Sequence, residues 1–479
     1  MMRPLFTFIL LFCLASATLA ADLPDLGDVG AEDFSPAQER QIGEEIMREV
    51  RADPAWLDDP EIEEYINSLG RRLAAASADP ARGFEFFVVK DSTLNAFALP
   101  GGNIGVHSGL LLAARSESEL AGVLGHEIGH VNQRHIAQLV GKQKQLGMLM
   151  LASLLAAVAA HNSQAGEAAL AAGTAGAMQA QLAYTRDFER EADRAGLQTL
   201  EAAGFDVRGM AGFFERLQRA SRLYENNAPA YLRTHPLTTE RIADMENRVM
   251  NMRYRQVPDS ADFRYVQARL RVQALPATDA VRTFAGLVAD NPDDVALRYG
   301  LVLSQLRLGR LDDAAQSIDE LRRRAAPSPF VAILGADVAV ARRDYDVAIK
   351  TLLAASRKFP ASMSVVYALS DAQIAGGRAG DAEQGMRRAL ASHGGDIRLW
   401  GLLSRANAAL DRRAAQHRAQ AEVYALKGAY RAAVEQLELA RKAGDGDFYE
   451  LSTVDARLRE IRTRMYDGEK RESGRKSER

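Results

Sequence analysis

Four alanines in the C-terminal half, Ala280, Ala314, Ala348 and Ala382, follow one another at intervals of 34 residues. Each lies in a helical pattern (TDAVRTF, LDDAAQSI, YDVAIKTL, GDAEQGM), and seven residues after each stands Leu287, Leu321, Ala355 or Ala389. Pro292 and Pro360 fall where a second helix must end, and Gly309 and Gly377 where the chain must turn between helices. A fixed period of small residues constrains the fold strongly, because close-packed helix pairs stacked on one another bury a continuous core that a single unit cannot. An irregular helical bundle would leave the period unexplained. A further unit, GAYRAAVEQLELA with Ala433 and Ala440, is out of phase, which predicts an insertion or a variant unit around residues 400–420. Such an array contacts mainly its own neighbours and presents a concave groove, so it is expected to form a separate module.

A 34-residue unit of this kind is a tetratricopeptide repeat. The expected organisation is a first domain at 21–255, the repeat domain at 260–462, and a charged, apolar-poor tail at 466–479 that is expected to be disordered. The N-terminus, MMRPLFTFILLFCLASATLA, orders one arginine, an apolar run and small residues as a secretory signal peptide does, with cleavage expected after Ala20. The single cysteine, Cys13, lies inside it, so the mature chain has no disulfide and depends on packing or on a metal. A net charge of −3 gives no bulk attraction for nucleic acid. No other stretch reaches the length of a membrane span. The apolar run 146–160 and the Ala/Gly-rich run 168–183 form either a hairpin that meets lipid or unfolded substrate, or buried core.

Ser35-Pro36 and Asp59-Pro60 predict two helices across 35–76, each with a capping side chain before a proline at the first helical position. Strands are expected near 84–90, 95–99 and 103–107. The extended stretch from Asn95 to Val106 suits either addition of a substrate strand or pairing within its own sheet. A helix is expected from Glu117 to about Val140, and the rest of the chain is read as helical.

On that helix AGVLGHEIGHVNQRH places His126 and His130 four apart on one face, able to aim ring nitrogens at one ion, with Glu127 one position round. Catalytic zinc needs a third protein ligand and an open position. In YTRDFEREADRAG, Glu189 and Asp193 share a helix face and fit a ligand and a carboxylate that orients a histidine. A surface helix of ion pairs is the alternative. His107, His135, His161, His393 and His417 lack a partner at ligand spacing and are read as surface or packing residues, His135 because five residues past His130 is off the ligand face. Pro236 keeps His235 on a loop.

HEIGH, the Glu189/Asp193 pair some 60 residues on, and the preceding NAFALPGGNIGVHSGLL together resemble the HtpX-like and CAAX-prenyl-type zinc metallopeptidases, gluzincins whose third ligand is glutamate. The signal peptide and the repeats resemble the family's periplasmic branch, which tends the assembly of outer-membrane β-barrels. The resemblance implies a mainly α fold, a gluzincin-type metallopeptidase domain of helices and a small β-sheet followed by an α-solenoid. It implies one zinc held by His126, His130 and Glu189, Glu127 as general base and Asp193 as the orienting carboxylate. It implies that the His235 loop reaches the fourth zinc position, as ligand or gate, and that Arg241 stabilises an oxyanion. The implied activity is endopeptidic cleavage of misassembled or unfolded outer-membrane proteins in the periplasm, with the repeats recruiting the β-barrel assembly machinery. A chaperone or scaffold with little proteolysis is the rival.

Overall fold

The computed structural model describes residues 34–142, 186–222 and 230–477. The expected signal peptide and the two apolar runs at 146–160 and 168–183 lie outside them. Two helices open the described chain, α1 (Pro36–Ala52) and α2 (Pro60–Ala75), capped by the Ser35 and Asp59 side chains as their sequences require. Three strands follow, β1 (Glu85–Val89), β2 (Ala96–Leu99) and β3 (Asn103–His107), in the order β1-β3-β2. β3 is central, parallel to β1 and antiparallel to β2. The expected strand positions therefore hold, and β3 is used for pairing within the sheet.

After the short α3 (Ser108–Ala113) comes α4 (Glu117–Asn132), buried on nearly every side against the sheet and its neighbours. The helix expected to continue to Val140 stops early. Arg134 adopts φ 54°, and a second helix, α5 (His135–Lys142), starts in a new direction. A left-handed residue other than glycine costs about 1–2 kcal/mol, so this turn must be held by its surroundings. The Arg134 guanidinium donates to the Phe34 carbonyl at 2.8 Å, and its backbone N–H to Val131. The peptidase-sized part is completed by α6 (Arg186–Ala202), α7 (Arg208–Arg222), α8 (Ala230–Thr234) and α9 (Thr239–Asn251).

The repeats begin at α10 (Ala261–Ala274) and α11 (Ala277–Asp290). Further pairs are α12 (Val295–Arg307) with α13 (Leu311–Arg324), α14 (Pro329–Ala341) with α15 (Tyr345–Lys358), α16 (Met363–Ala375) with α17 (Ala379–Leu390), and α18 (Ile397–Ala409) with α19 (Arg413–Leu426). Left-handed residues at Gly309, Arg343, Gly377 and Asp411 keep the same 34-residue step. The fifth pair is thus in phase, with Gln416 where an alanine stood, so of the two alternatives around 400–420 the structure has the variant unit and no insertion. Ala433 is displaced by half a period, 433 − 416 = 17, because it lies in α20 (Tyr430–Lys442), the next helix after α19. The last helix, α21 (Phe448–Ser477), runs through the tail expected to be disordered. Val454, Leu458 and Ile461 anchor its start in the core, and the Glu, Lys and Arg that follow are good helix formers that propagate a turn already nucleated.

The array does not stand apart from the first half. Ile62, Tyr65 and Leu69 of α2 share one hydrophobic cluster with Phe263, Tyr265 and Phe330 of the array. Among the described residues no helix is long and apolar enough to cross a membrane.

Candidate active site

Glycine is what lets the motif helix meet its partner. A Cβ at Gly129 would lie 3.0 Å from the Ala192 carbonyl oxygen, one at Gly125 3.2 Å from that of Gly196, and one at Gly196 3.0 Å from the His126 nitrogen. With no side chains between them, α4 and α6 approach closely enough for short side chains to converge. His126, Glu127 and His130 come from α4, Glu189 and Asp193 from α6, and His235 from the segment between α8 and α9. None of the six is more than 2% exposed.

His126, His130, Glu189 and His235 each turn one donor atom into the same space, all within 4.8 Å of one another. The His126 and His130 Nε2 atoms are 3.0 Å apart, and they lie 3.6 and 3.5 Å from the Glu189 carboxylate. His235 Nδ1 lies 3.4 Å from His126 Nε2 and 3.1 Å from Glu189 Oε1. A tetrahedral zinc with bonds near 2.0–2.1 Å has donor–donor edges of about 3.3 Å, so the set fits such an ion. Imidazole and carboxylate are also the donors zinc takes.

The remaining groups divide into satisfied and unsatisfied. Both Glu127 carboxylate oxygens are buried and make no close hydrogen bond among the described residues, with the buried Tyr231 hydroxyl as a neighbour that lowers the carboxyl's pKa. His235 Nε2 is 3.7 Å from Glu127 Oε1. Burial pushes the Glu127 carboxyl above its ordinary range. Asp193 Oδ1 approaches His126 Nδ1 at 3.0 Å. Burial alone would lower the His126 pKa, but Asp193 and Glu189 outweigh it and carry the ring to about 9. His130, buried beside that charge, is held well below its ordinary value.

Arg241, at the start of α9, is committed to the site's carboxylates. Its Nε and Nη2 donate to the two oxygens of Asp193 at 2.7 and 2.8 Å, and its Nη1 reaches the Pro236 carbonyl at 2.8 Å and Glu189 Oε2 at 2.7 Å. In this arrangement the guanidinium compensates buried charge and ties down the loop after His235, and the oxyanion role stays an expectation.

The family model for peptidase family M48 matches residues 60–249, and that for the tetratricopeptide repeat matches 265–329 and 333–397. The β-barrel assembly-enhancing protease of Escherichia coli K12 is 33% identical over 461 residues, covering 94% of this chain and 93% of that protein. The chain belongs to peptidase family M48. The putative β-barrel assembly-enhancing protease of Vibrio cholerae is likewise 33% identical, over 95% of this chain and 96% of its own length. The mitochondrial metalloendopeptidase OMA1 of Arabidopsis thaliana is 31% identical over 225 residues, 47% of this chain and 43% of that protein. The chain is accordingly a metal-dependent peptidase with a repeat array.

Within this M48 domain the structure brings together the motif residues, the Glu189/Asp193 pair and His235, the set that the resemblance implies. It leaves His107 outside the site, bonded to Thr93 Oγ1 at 2.8 Å, and His393 and His417 in the repeats; His161 lies outside the described residues. His135 is a correction. Its ring is fully buried, with Nδ1 2.9 Å from His130 Nδ1 and Nε2 3.2 Å from Glu191 Oε2. Helical spacing pointed it away, and only the turn at Arg134 brings it back.

Proposed function

We propose that the chain is a periplasmic zinc endopeptidase that cleaves misassembled or unfolded outer-membrane proteins, with its repeats engaging the β-barrel assembly machinery. The observation that carries the reading is the convergence of three ligating side chains from two helices beside a buried Glu127 whose carboxylate, among the described residues, no close hydrogen bond ties down. The names of the relatives and the repeat array, a protein-binding architecture, support the substrate class and the partner.

His126, His130 and Glu189 would hold the zinc, which when bound supplies the Lewis acidity that makes water a nucleophile near neutral pH and polarises a carbonyl. Glu127 takes the proton from the attacking water and returns it to the leaving amine, which requires the carboxylate to lie within hydrogen-bond reach of both. Asp193 holds His126 in the tautomer whose Nε2 lone pair faces the ion, and Arg241 keeps Asp193 ionised by direct pairing.

His235 is the gate in this reading. Its Nδ1 sits with the three ligands where water must bind, and removing the ring frees that position. His235→Ala should cleave an unfolded outer-membrane protein faster than wild type at matched zinc content; a rate equal to or below wild type sinks the gate. The central experiment is elemental analysis of metal-replete protein with initial rates on the same substrate. One zinc per chain and cleavage that is lost in Glu127→Gln support the peptidase reading. Metal-free protein with undiminished protection of unfolded substrate would instead favour the chaperone.

A further inference from the structure

The geometry points to His135 as a positioning residue for the metal site, the hydrogen-bond acceptor that fixes the His130 ring, with Glu191 behind it. The inference rests on the zinc reading above.

A histidine that ligates through Nε2 must carry its proton on Nδ1, and that N–H needs an acceptor to hold the ring in line. For His126 the neighbour at Nδ1 is Asp193. For His130 it is His135, with the two Nδ1 atoms 2.9 Å apart. Two Nδ1 atoms at that distance share one proton, so a ligating His130 leaves His135 Nδ1 as the acceptor. His135 is then the neutral tautomer protonated on Nε2, and that N–H faces Glu191 Oε2 at 3.2 Å. The chain of donors runs in one direction, from His130 to His135 to Glu191, and every atom in it has the role its tautomer allows.

One helix anchors both histidines. α6 supplies Glu189 to the ion directly, Asp193 to His126, and Glu191 to His130 through His135. Glu191 is half exposed, whereas the two rings it serves are fully buried.

The backbone turn gives an independent sign that the contact is built. Residue 135 on an uninterrupted α4 would sit about 140° round from His130, since five steps of about 100° exceed one turn by that angle. Arg134 at φ 54° redirects the chain so that residue 135 folds back under residue 130. Strain of this kind persists only where the surroundings over-determine it, and such positions cluster at functional sites. Packing alone does not call for a histidine here. The His135 ring stacks on Phe188, with centroids 4.3 Å apart and planes at 13°, a place that phenylalanine could fill.

The test compares two replacements in the full-length protein, with zinc affinity measured by competition against a chromogenic chelator. His135→Phe keeps an aromatic ring on Phe188 and removes the acceptor; His135→Gln loses the ring but keeps an acceptor and a donor. Losing such a partner typically lowers metal affinity about 10–100-fold, the loss expected for His135→Phe. His135→Gln should recover most of it. Glu191→Leu, at a half-exposed position, should weaken zinc by a smaller factor and keeps the test open if His135→Phe fails to fold. Wild-type affinity in His135→Phe or in Glu191→Leu overturns the relay, and so does His135→Gln binding as weakly as His135→Phe, which would make the effect one of packing. A wild-type protein that binds no zinc overturns the zinc reading itself, so the two failures are distinguishable.

Discussion

Glu127 and Arg241 are both buried in one site, yet among the described residues Glu127 makes no close hydrogen bond, whereas the Arg241 side chain makes three and an ion pair to Glu189. That difference separates a group free to move a proton from one that holds others still. Glu127→Gln should retain zinc, because the ligands are untouched, and lose cleavage by about 10²–10⁴-fold, the usual worth of a positioned base. Metal analysis beside initial rates checks both halves. Arg241→Leu acts on stability instead. It leaves Asp193 and Glu189 buried without their guanidinium, which should cost the metal-free protein about 3–5 kcal/mol in urea unfolding, with zinc recovering part because a cation returns. Unchanged stability with a reduced kcat would support the oxyanion role expected from the resemblance. At this scale the sequence is legible wherever periodicity alone sets the geometry: His126, Glu127 and His130 lie on one helix face, and Glu189 and Asp193 on another. It is silent on His135 because that contact depends on one backbone angle at Arg134, and on the Arg241 pairs because they join residues 48 and more positions apart.

The contact between α4 and α6 is the element on which the site depends. Glycine costs a helix about 1 kcal/mol relative to alanine, so AGVLGHEIGH reads as a weak helix until its partner is known. The partner, some 60 residues on, packs where Cβ atoms would be, and nothing in either segment taken alone reports it. Gly129→Val should push α6 away through the Ala192 backbone, destabilising by about 1–3 kcal/mol as overpacking does, and should weaken zinc binding because Glu189 moves away from the two histidines. Gly212→Ala on α7, with nothing within 4 Å of the added carbon, is the control and should be neutral or slightly stabilising. Equal zinc affinities in the two variants would show that the close approach does not set the site. The repeats were more legible than this contact, because their period is local and recurs. What remained hidden was the phase of the last units, since Arg343 and Asp411 take the left-handed turn without the glycine that marks it at 309 and 377.

The peptidase domain and the array form one body, joined along α2. Arg269 of α10 pairs with Asp59 at 2.6 Å and reaches the Glu61 carboxyl, an acceptor, at the same distance, Glu64 accepts from Ser362 and Ser364, and Arg398 of α18 pairs with Asp58. Periodicity reports contacts within an array but not what packs against it, so the separate module expected from the repeats is instead an array packed against α2 of the catalytic domain. Removing residues 260–460 should therefore expose Tyr65, Leu69 and the α2 carboxylates and give an insoluble or unstable fragment; a soluble, zinc-loaded one would show that the joint is dispensable. The joint also carries a pH dependence of definite sign. Burial, opposed by Arg269 and aided by Asp59 and Asp337, raises the Glu61 pKa from 4.5 to about 8. The folded chain then keeps a proton that the unfolded chain has released. The stability this group contributes is full below about pH 4.5, declines as pH rises, and is gone above about pH 8. Asp337, raised to about 6, acts in the same direction over a lower range. Other groups titrate in the same window, His126 among them, so the wild-type profile alone does not isolate Glu61. Glu61→Gln does, because the amide is neutral at every pH while Asp337 and the histidines are unchanged. Between pH 5 and 8.5 the wild type should lose stability to urea relative to Glu61→Gln, and curves that run parallel across that range would mean that Glu61 is ionised in the folded joint.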